Sequence, residues 1–322
     1  MSQSTVSRAL RGDPRVAPAT VARVLEAAQR LNYTPNVAAR SLITRRTQTV
    51  GVVVSAITNP FYPELIEILH DEFAVANYGT ILLNEQWDGQ RGHRVDDLIR
   101  GGAVDGVLYL SALLGESLPS GAGGDFPVVL LNRDADAASV DAVLSDNAGG
   151  GRRVAELLFE LGHRRIAHIA GPENTSTSVE RERGLRERLA ELGAPLDDRL
   201  RRVGQYTHHS GYHWCLDLLA RDPRPTAVFA GSDLIAFGVL DAASRVGLRV
   251  PQELSVIGFD DVDMASWERF SLTTVAHQSR EMARAAANLL LERIEADKPP
   301  VLRRRIFPVR LVSRATHGPV PA

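Results

Sequence analysis

The chain has 322 residues, 44% hydrophobic and 24% charged, which is too long for one small domain and rich enough for two or three packed units. A single cysteine, Cys215, excludes an internal disulfide, and neither a secretion signal nor an apolar run near the ~20 residues that span a bilayer is visible, so a soluble cytoplasmic protein is expected. The net charge of −2 hides an asymmetry: residues 1–46 hold eight arginines against Asp13 and Glu26, a basic piece on an acidic body, which points to a polyanion partner for that piece alone.

Residues 4–10 form a short helix stopped by Gly12-Asp13-Pro14. Apolar residues at Val21, Val24, Leu25, Ala28 and Leu31 predict a helix over 18–31, with Pro18 in its first turn and Asn32 near its stop. Asn36 is a candidate N-cap for a further short helix over 36–41. From Thr49 the style changes. The β-branched run TVGVVVSA (49–56) is a buried strand, and strands follow at 80–85, 105–112, 127–132, 142–147, 165–171, 201–206, 226–232, 254–261, 272–278 and 307–314. Between them lie helices over 63–76, 89–100, 149–161, 179–192, 210–219, 234–246 and 279–294. Strand–helix alternation means parallel sheets with helices on both faces, and this many strands fit two doubly wound lobes better than one sheet. A ligand belongs outside the carboxyl ends of the strands, in the crevice between lobes.

Enzyme signatures are mostly absent. No phosphate-binding loop ends in Lys-Ser or Lys-Thr, GAGGDF (121–126) fails as a dinucleotide fingerprint at its last position, and no G-x-S-x-G elbow occurs. His208, His209, His213 and Cys215 cluster in HHSGYHWC, but a metal needs about three converging ligands, so no metal and no cofactor is expected. Asp260 and Asp261 of FDD follow a strand; they suit acid–base chemistry or, equally, acceptance of hydrogen bonds from a polar ligand.

STVSRAL (4–10) and VAPATVARVLEAAQRLNYTPNVAARSL (16–42) resemble the DNA-binding segment of LacI/GalR-family transcriptional regulators. The body is similar to the same family throughout, in TVGVVVSAITNPFYPELI (49–66), GHRRIAHIAGP (162–172), PTAVFAGSDLIAFGVL (225–240), LRVPQELSVIGFDD (248–261) and LTTVAHQ (272–278). The resemblance implies a small all-α helix-turn-helix segment, incomplete here, and a hinge helix, followed by a core like periplasmic sugar-binding proteins. In residues, it implies a partial DNA-binding domain over 1–34, a hinge and linker over 35–48, and a two-lobed core over 49–322. The first lobe is expected over 49–147 plus 276–308 and the second over 148–275 plus 309–322. Family members act as dimers or tetramers on near-palindromic operators and respond to a small effector, commonly a sugar.

A recognition helix turns its N-terminal residues to the major groove, which maps base reading to Gln3, Ser4 and Arg8; Gln pairs bidentately with adenine and Arg with guanine. Thr5, Ser7, Tyr33 and Asn36 map to backbone contacts, Val6 and Leu10 to helix packing, and Leu42 to an apolar wedge in the minor groove. In the cleft the resemblance implies effector contacts from Phe61, Tyr62, Asn132, Arg181, Tyr206, Ser232, Asp233 and Asp260, with Arg181 in an R-x-x-G pattern ending at Gly184. Asp233 is open between ligand contact and helix capping. Many sugar-responsive members carry Asn where Ser232 stands and Asp where Asn132 stands, which leaves the ligand open between a modified sugar and another small polar metabolite. The family has an additional helix ahead of the position of Met1, so a start set too late, on a GTG valine codon, is the expectation. The rival readings are a sensor that no longer binds DNA, a sugar-binding module, and an enzyme on the same scaffold using Asp260 and Asp261.

Overall fold

The computed structural model describes residues 1–10, 13–31, 33, 46–85, 93–119, 121–122, 126–135, 140–296 and 301–321. It divides into two compact units, Met1–Thr47 and Gln48–Ala322.

The first unit contains helices α1 (Gln3–Leu10) and α2 (Pro18–Arg30), which pack on each other through Ala9 and Val24. Pro18 begins α2, where its missing N–H costs nothing. The expected helix over 36–41 and the hinge residue Leu42 lie outside the described residues, as does Asn36.

The second unit holds two six-stranded sheets. The first comprises β1 (Thr49–Val54), β2 (Gly79–Asn84), β3 (Gly106–Tyr109), β4 (Val128–Leu131), β5 (Asp141–Ser145) and β11 (Arg304–Phe307), in the order β2-β1-β3-β4-β5-β11. The second comprises β6 (Ile166–Ala170), β7 (Arg201–Val203), β8 (Ala227–Ala230), β9 (Ser255–Asp260), β10 (Thr273–Ala276) and β12 (Arg310–Val312), in the order β7-β6-β8-β9-β10-β12. Apart from the edge strand β12, antiparallel to β10, both sheets are parallel and share one winding, with the order reversing between β1 and β3 and between β6 and β8. The central strands are buried along almost their whole length, as β-branched runs covered by helices on both faces must be.

Helices α3 (Phe61–Val75) and α4 (His93–Arg100) follow strands of the first sheet; α5 (Asn147–Glu160), α6 (Ser176–Glu191), α7 (His208–Leu219) and α8 (Asp233–Arg245) belong to the second. The last helix, α9 (Ser279–Glu295), follows a strand of the second sheet but packs on α3, β3, β4 and β5 of the first. Among the described residues the chain therefore passes between lobes at Asp146, at His277-Gln278 and at Pro308-Val309. The last passage corrects one expectation: the run 307–314 is not one strand. Pro308 has no N–H for a ladder, and the chain changes sheet there, giving β11 and β12.

Candidate functional sites

On α1, Ser2 Oγ accepts a hydrogen bond from the Thr5 N–H at 3.2 Å and caps the helix. The turn of about 100° per residue then decides which side chains share a face. Ala9 is buried, with Val6 and Leu10 half-buried beside it, while Ser4 and Arg8 are exposed on the opposite arc and Gln3 is exposed in the first turn, next to Leu10 around the helix. Thr5 flanks the packed side and its hydroxyl sits 2.8 Å from Ser2 Oγ, so the cap occupies it. Tyr33 is exposed, its N–H donating to the Ala28 carbonyl at the end of α2.

The core has a cavity of about 470 Å³ between the lobes. Its walls come from chain just beyond β1 (Ser55, Ala56), β2 (Glu85), β6 (Pro172) and β7 (Gln205, Tyr206), together with Tyr62 and Arg133. These are carboxyl ends of strands, with β1 and β6 each flanking a reversal point, where doubly wound sheets leave a crevice. Tyr206 is seated by Gly171: a Cβ there would lie 2.2 Å from the tyrosine Cζ, so only glycine leaves room for the ring. The Tyr206 hydroxyl lies 3.0 Å from Thr177 Oγ1, which fixes the ring's outer edge. A second cavity of about 390 Å³, lined by Asn132, Asp134, Asn147, Glu180, Arg183 and Arg304 among others, opens at the ends of β4 and β5.

A buried polar cluster sits on the interlobe crossovers. Arg181, 3% exposed, donates through Nε to Asn147 Oδ1 (2.9 Å) and through Nη1 to the Gly231 carbonyl (2.6 Å), and pairs through Nη2 with Asp260 Oδ1 at 3.0 Å. Its guanidinium lies 3.7 Å from the centre of the Phe259 ring. Gly184 explains the R-x-x-G pattern: a Cβ would stand 1.9 Å from the Ala148 carbonyl oxygen, so the glycine lets α6 approach α5 closely enough for Arg181 to reach Asn147. Asp260 has φ +117°, a conformation costly for a side-chain-bearing residue, and is held there by Arg181 and by His277. His277 Nε2 donates to Asp260 Oδ1 at 3.2 Å, since the carboxylate only accepts; Nδ1 then accepts from Ser145 Oγ–H at 2.6 Å. Burial pushes the His277 pKa down, against the opposing pull of Asp260, which keeps the ring neutral.

The expected effector residues therefore separate into groups. Tyr62 and Tyr206 line the larger cavity, and Asn132 lines the smaller. Arg181 and Asp260 meet in the buried cluster, where Phe61 packs its ring 5.2 Å from His277. Ser232 and Asp233 face protein. Ser232 caps α8 through the Ile235 N–H at 3.3 Å. Asp233, fully buried, accepts from the Val262 N–H and the Thr274 hydroxyl, and burial with Asp260 nearby raises its pKa well above the usual carboxylate range. Sequence reasoning missed His277, which stood unremarked inside LTTVAHQ, and Arg133, directly after Asn132. The parallel register of β9 and β10 pairs Asp260 with Ala276 and so delivers His277 to the carboxylate. In the histidine-rich helix α7, His208 bonds Asp241 at 2.8 Å and His213 stacks near His209, while burial pushes the Cys215 thiol up to about 12. Among the described residues no group of three or more potential ligands converges on a metal position, and no helix is long and apolar enough to cross a membrane.

A basic helical unit that exposes Gln3, Ser4 and Arg8 on α1, carried on the same chain as a two-lobed core with a cleft at the carboxyl ends of its strands, defines a ligand-responsive DNA-binding regulator. Residues 1–36 match the bacterial regulatory proteins of the lacI family, and residues 155–317 match the periplasmic binding protein-like domain. The chain is 36% identical to the HTH-type transcriptional regulator CelR of Thermobifida fusca, over 97% of this chain and 92% of that protein. It is 32% identical to the ribose operon repressor of Escherichia coli strain K12, over 91% and 90% of the two chains. Among solved structures, the CelR–cellobiose complex superposes with a TM-score of 0.78 at 34% identity, covering 98% of this chain and 96% of that one. The chain belongs to the LacI family and is a helix-turn-helix transcriptional regulator.

Proposed function

We propose that the chain is a cytoplasmic repressor that binds a near-palindromic operator as a dimer and changes its grip when a sugar or related small polar metabolite occupies the 470 Å³ cleft. The observation that carries this reading is the cleft itself: its walls come from both lobes and it has two tyrosines, Tyr62 and Tyr206, of the kind that stack on sugar rings. The names of relatives support a sugar, since one is complexed with cellobiose and another represses a ribose operon. The same relatives are regulators, which favours binding over turnover.

In the DNA-binding unit, Gln3, Ser4 and Arg8 read bases, while Thr5, Ser7, Tyr33 and Asn36 hold the backbone and Leu42 enters the minor groove. The exposed arc of α1 supports the first assignment. An operator selected from a random duplex pool tests it. Arg8→Ala is expected to weaken that operator about 5- to 150-fold, equivalent to about 1–3 kcal/mol for one bidentate base contact. The thermal shift given by an effector should be unchanged in the same variant. Equal operator affinity in the parent and the variant would sink the assignment.

A further inference from the structure

The chain bends sharply at the end of β4. The Arg133 N–H donates to the Leu131 carbonyl at 2.9 Å, closing a three-residue turn centred on Asn132, whose φ is +72°. This form of γ-turn is rare and strained. It is locked from both sides: the Asn132 N–H donates to the Val143 carbonyl, and the Asp134 N–H donates to Ser176 Oγ of the other lobe at 2.8 Å. The outcome is that two consecutive side chains enter different cavities, Asn132 the smaller and Arg133 the larger.

Arg133 is 8% exposed. Its Nε is buried without a hydrogen-bond partner, and among the described residues no carboxylate pairs with its guanidinium. Its aromatic neighbour is the Tyr206 ring, whose centre lies 5.8 Å from the guanidinium carbon. Among the described residues the other buried arginine of this core, Arg181, is paired with Asp260, and the half-buried Arg293 is paired with Asp141. A buried unpaired charge is costly, and strain that aims it into a cleft points to a partner that arrives from outside.

We infer that the effector is a sugar acid, a ring whose carboxylate is taken by Arg133 while its face rests on Tyr206. The inference rests on the reading of the cleft as the effector site. A guanidinium fork matches a carboxylate with two parallel hydrogen bonds. The charge balance favours carboxylate over phosphate. Glu85 also lines this cavity, 5% exposed and accepting from the Tyr109 hydroxyl at 3.1 Å, so every negative charge brought in meets it, and a singly charged carboxylate is opposed less than a doubly charged phosphate.

Titration calorimetry on the full chain tests this with D-galacturonate, D-glucuronate, D-galactose, D-glucose, D-glucose 6-phosphate and the methyl ester of galacturonic acid. One uronate is expected to bind at least about tenfold more tightly than its neutral parent sugar, and the methyl ester, which keeps the shape and loses the charge, should fall with the neutral sugars. Arg133→Gln is expected to erase the preference while its urea midpoint stays at or above that of the parent, because an unpaired buried charge has been removed. The sugar-acid inference falls if no acid binds, if the ester or a neutral sugar binds as tightly as the acid, if the phosphate binds more tightly than either uronate, or if Arg133→Gln keeps the preference. Tyr206→Ala separates the two readings. If a neutral sugar binds and loses affinity in that variant, the cleft stands as the effector site and only the acid is wrong. Uronate binding that Tyr206→Ala leaves untouched overturns the cleft reading and the inference built on it.

Discussion

Arg181 and Asp260 illustrate how a side chain expected to touch ligand is first of all a structural part. With side-chain exposures of 3% and 9%, each is the other's main compensation for lost water. Removing one partner leaves a buried charge, so Asp260→Ala is expected to destabilise the core by about 3–5 kcal/mol, read from urea unfolding. His168 makes a different contribution. Its ring is fully buried and stacked 4.9 Å from Phe229, Nδ1–H donates to the Phe229 carbonyl at 2.9 Å, and burial lowers its pKa from 6.5 to about 4. In the unfolded chain the ring takes a proton near its ordinary value, so the unfolded state binds more protons throughout that window. The stability contributed by neutral His168 is complete above the unfolded value and is lost as pH falls toward about 4. His163 and His277 are shifted the same way by burial. The urea midpoint should therefore fall between about pH 7.5 and about pH 5, and His168→Leu should make that fall shallower. A slope identical to the parent's would exclude His168 as a source.

Two glycines at element junctions separate folding from binding. At Gly184 the obstacle to a side chain is backbone, the Ala148 carbonyl oxygen 1.9 Å from where a Cβ would stand, and neither α5 nor α6 can yield without repacking. Gly184→Ala is expected to cost about 1–3 kcal/mol or more in unfolding free energy, as overpacked helix contacts do. At Gly171 the obstacle is a side chain rather than backbone, the ring of Tyr206. Gly171→Ala should leave the thermal midpoint nearly intact and weaken effector binding; a large fall in midpoint with binding preserved would reverse that assignment. The elements themselves were legible because apolar runs with β-branched residues and helical spacing report burial directly. Their first turns were not: α5 begins at Asn147 rather than Gly149 and α6 at Ser176 rather than Val179, since polar first turns carry no apolar period and are fixed by caps such as Asp146 accepting from the Gly149 N–H. Arg133 was illegible for a stronger reason. What marks it is a missing partner and a strained turn, and neither has a composition signature. Ser232 and Asp233 had the motif of ligand residues; the Ser232 cap to Ile235 is local to the start of α8, but the partners of Asp233, Val262 and Thr274, become visible only once β9, β10 and α8 are brought together.

At the scale of the whole core, any change in cleft closure must be absorbed where the chain passes between lobes. Two of the three passages are fastened to each other: Ser145, at the end of β5 beside the Asp146 crossover, bonds His277 of the next crossover at 2.6 Å, and His277 in turn holds Asp260 of the second lobe. Ser145 Oγ also lies 3.1 Å from Met282 Sδ of α9, the helix that returns to the first lobe. None of these residues lines the larger cavity, so the fastening can be loosened without touching the proposed ligand walls. An effector moves operator affinity only by its differential affinity for two arrangements of the core, a coupling of about 1–3 kcal/mol in typical cases. Ser145→Ala removes one buried hydrogen bond, worth about 1 kcal/mol, from the joint that keeps those arrangements distinct. The ratio of operator affinities with and without saturating effector is therefore expected to shrink by about fivefold, while the effector dissociation constant of the DNA-free chain shifts less. Fluorescence titration of a selected operator with parent and variant, each with and without effector, measures that ratio. If it is unchanged in Ser145→Ala, the crossovers carry no coupling and the link between cleft and operator must run through other contacts.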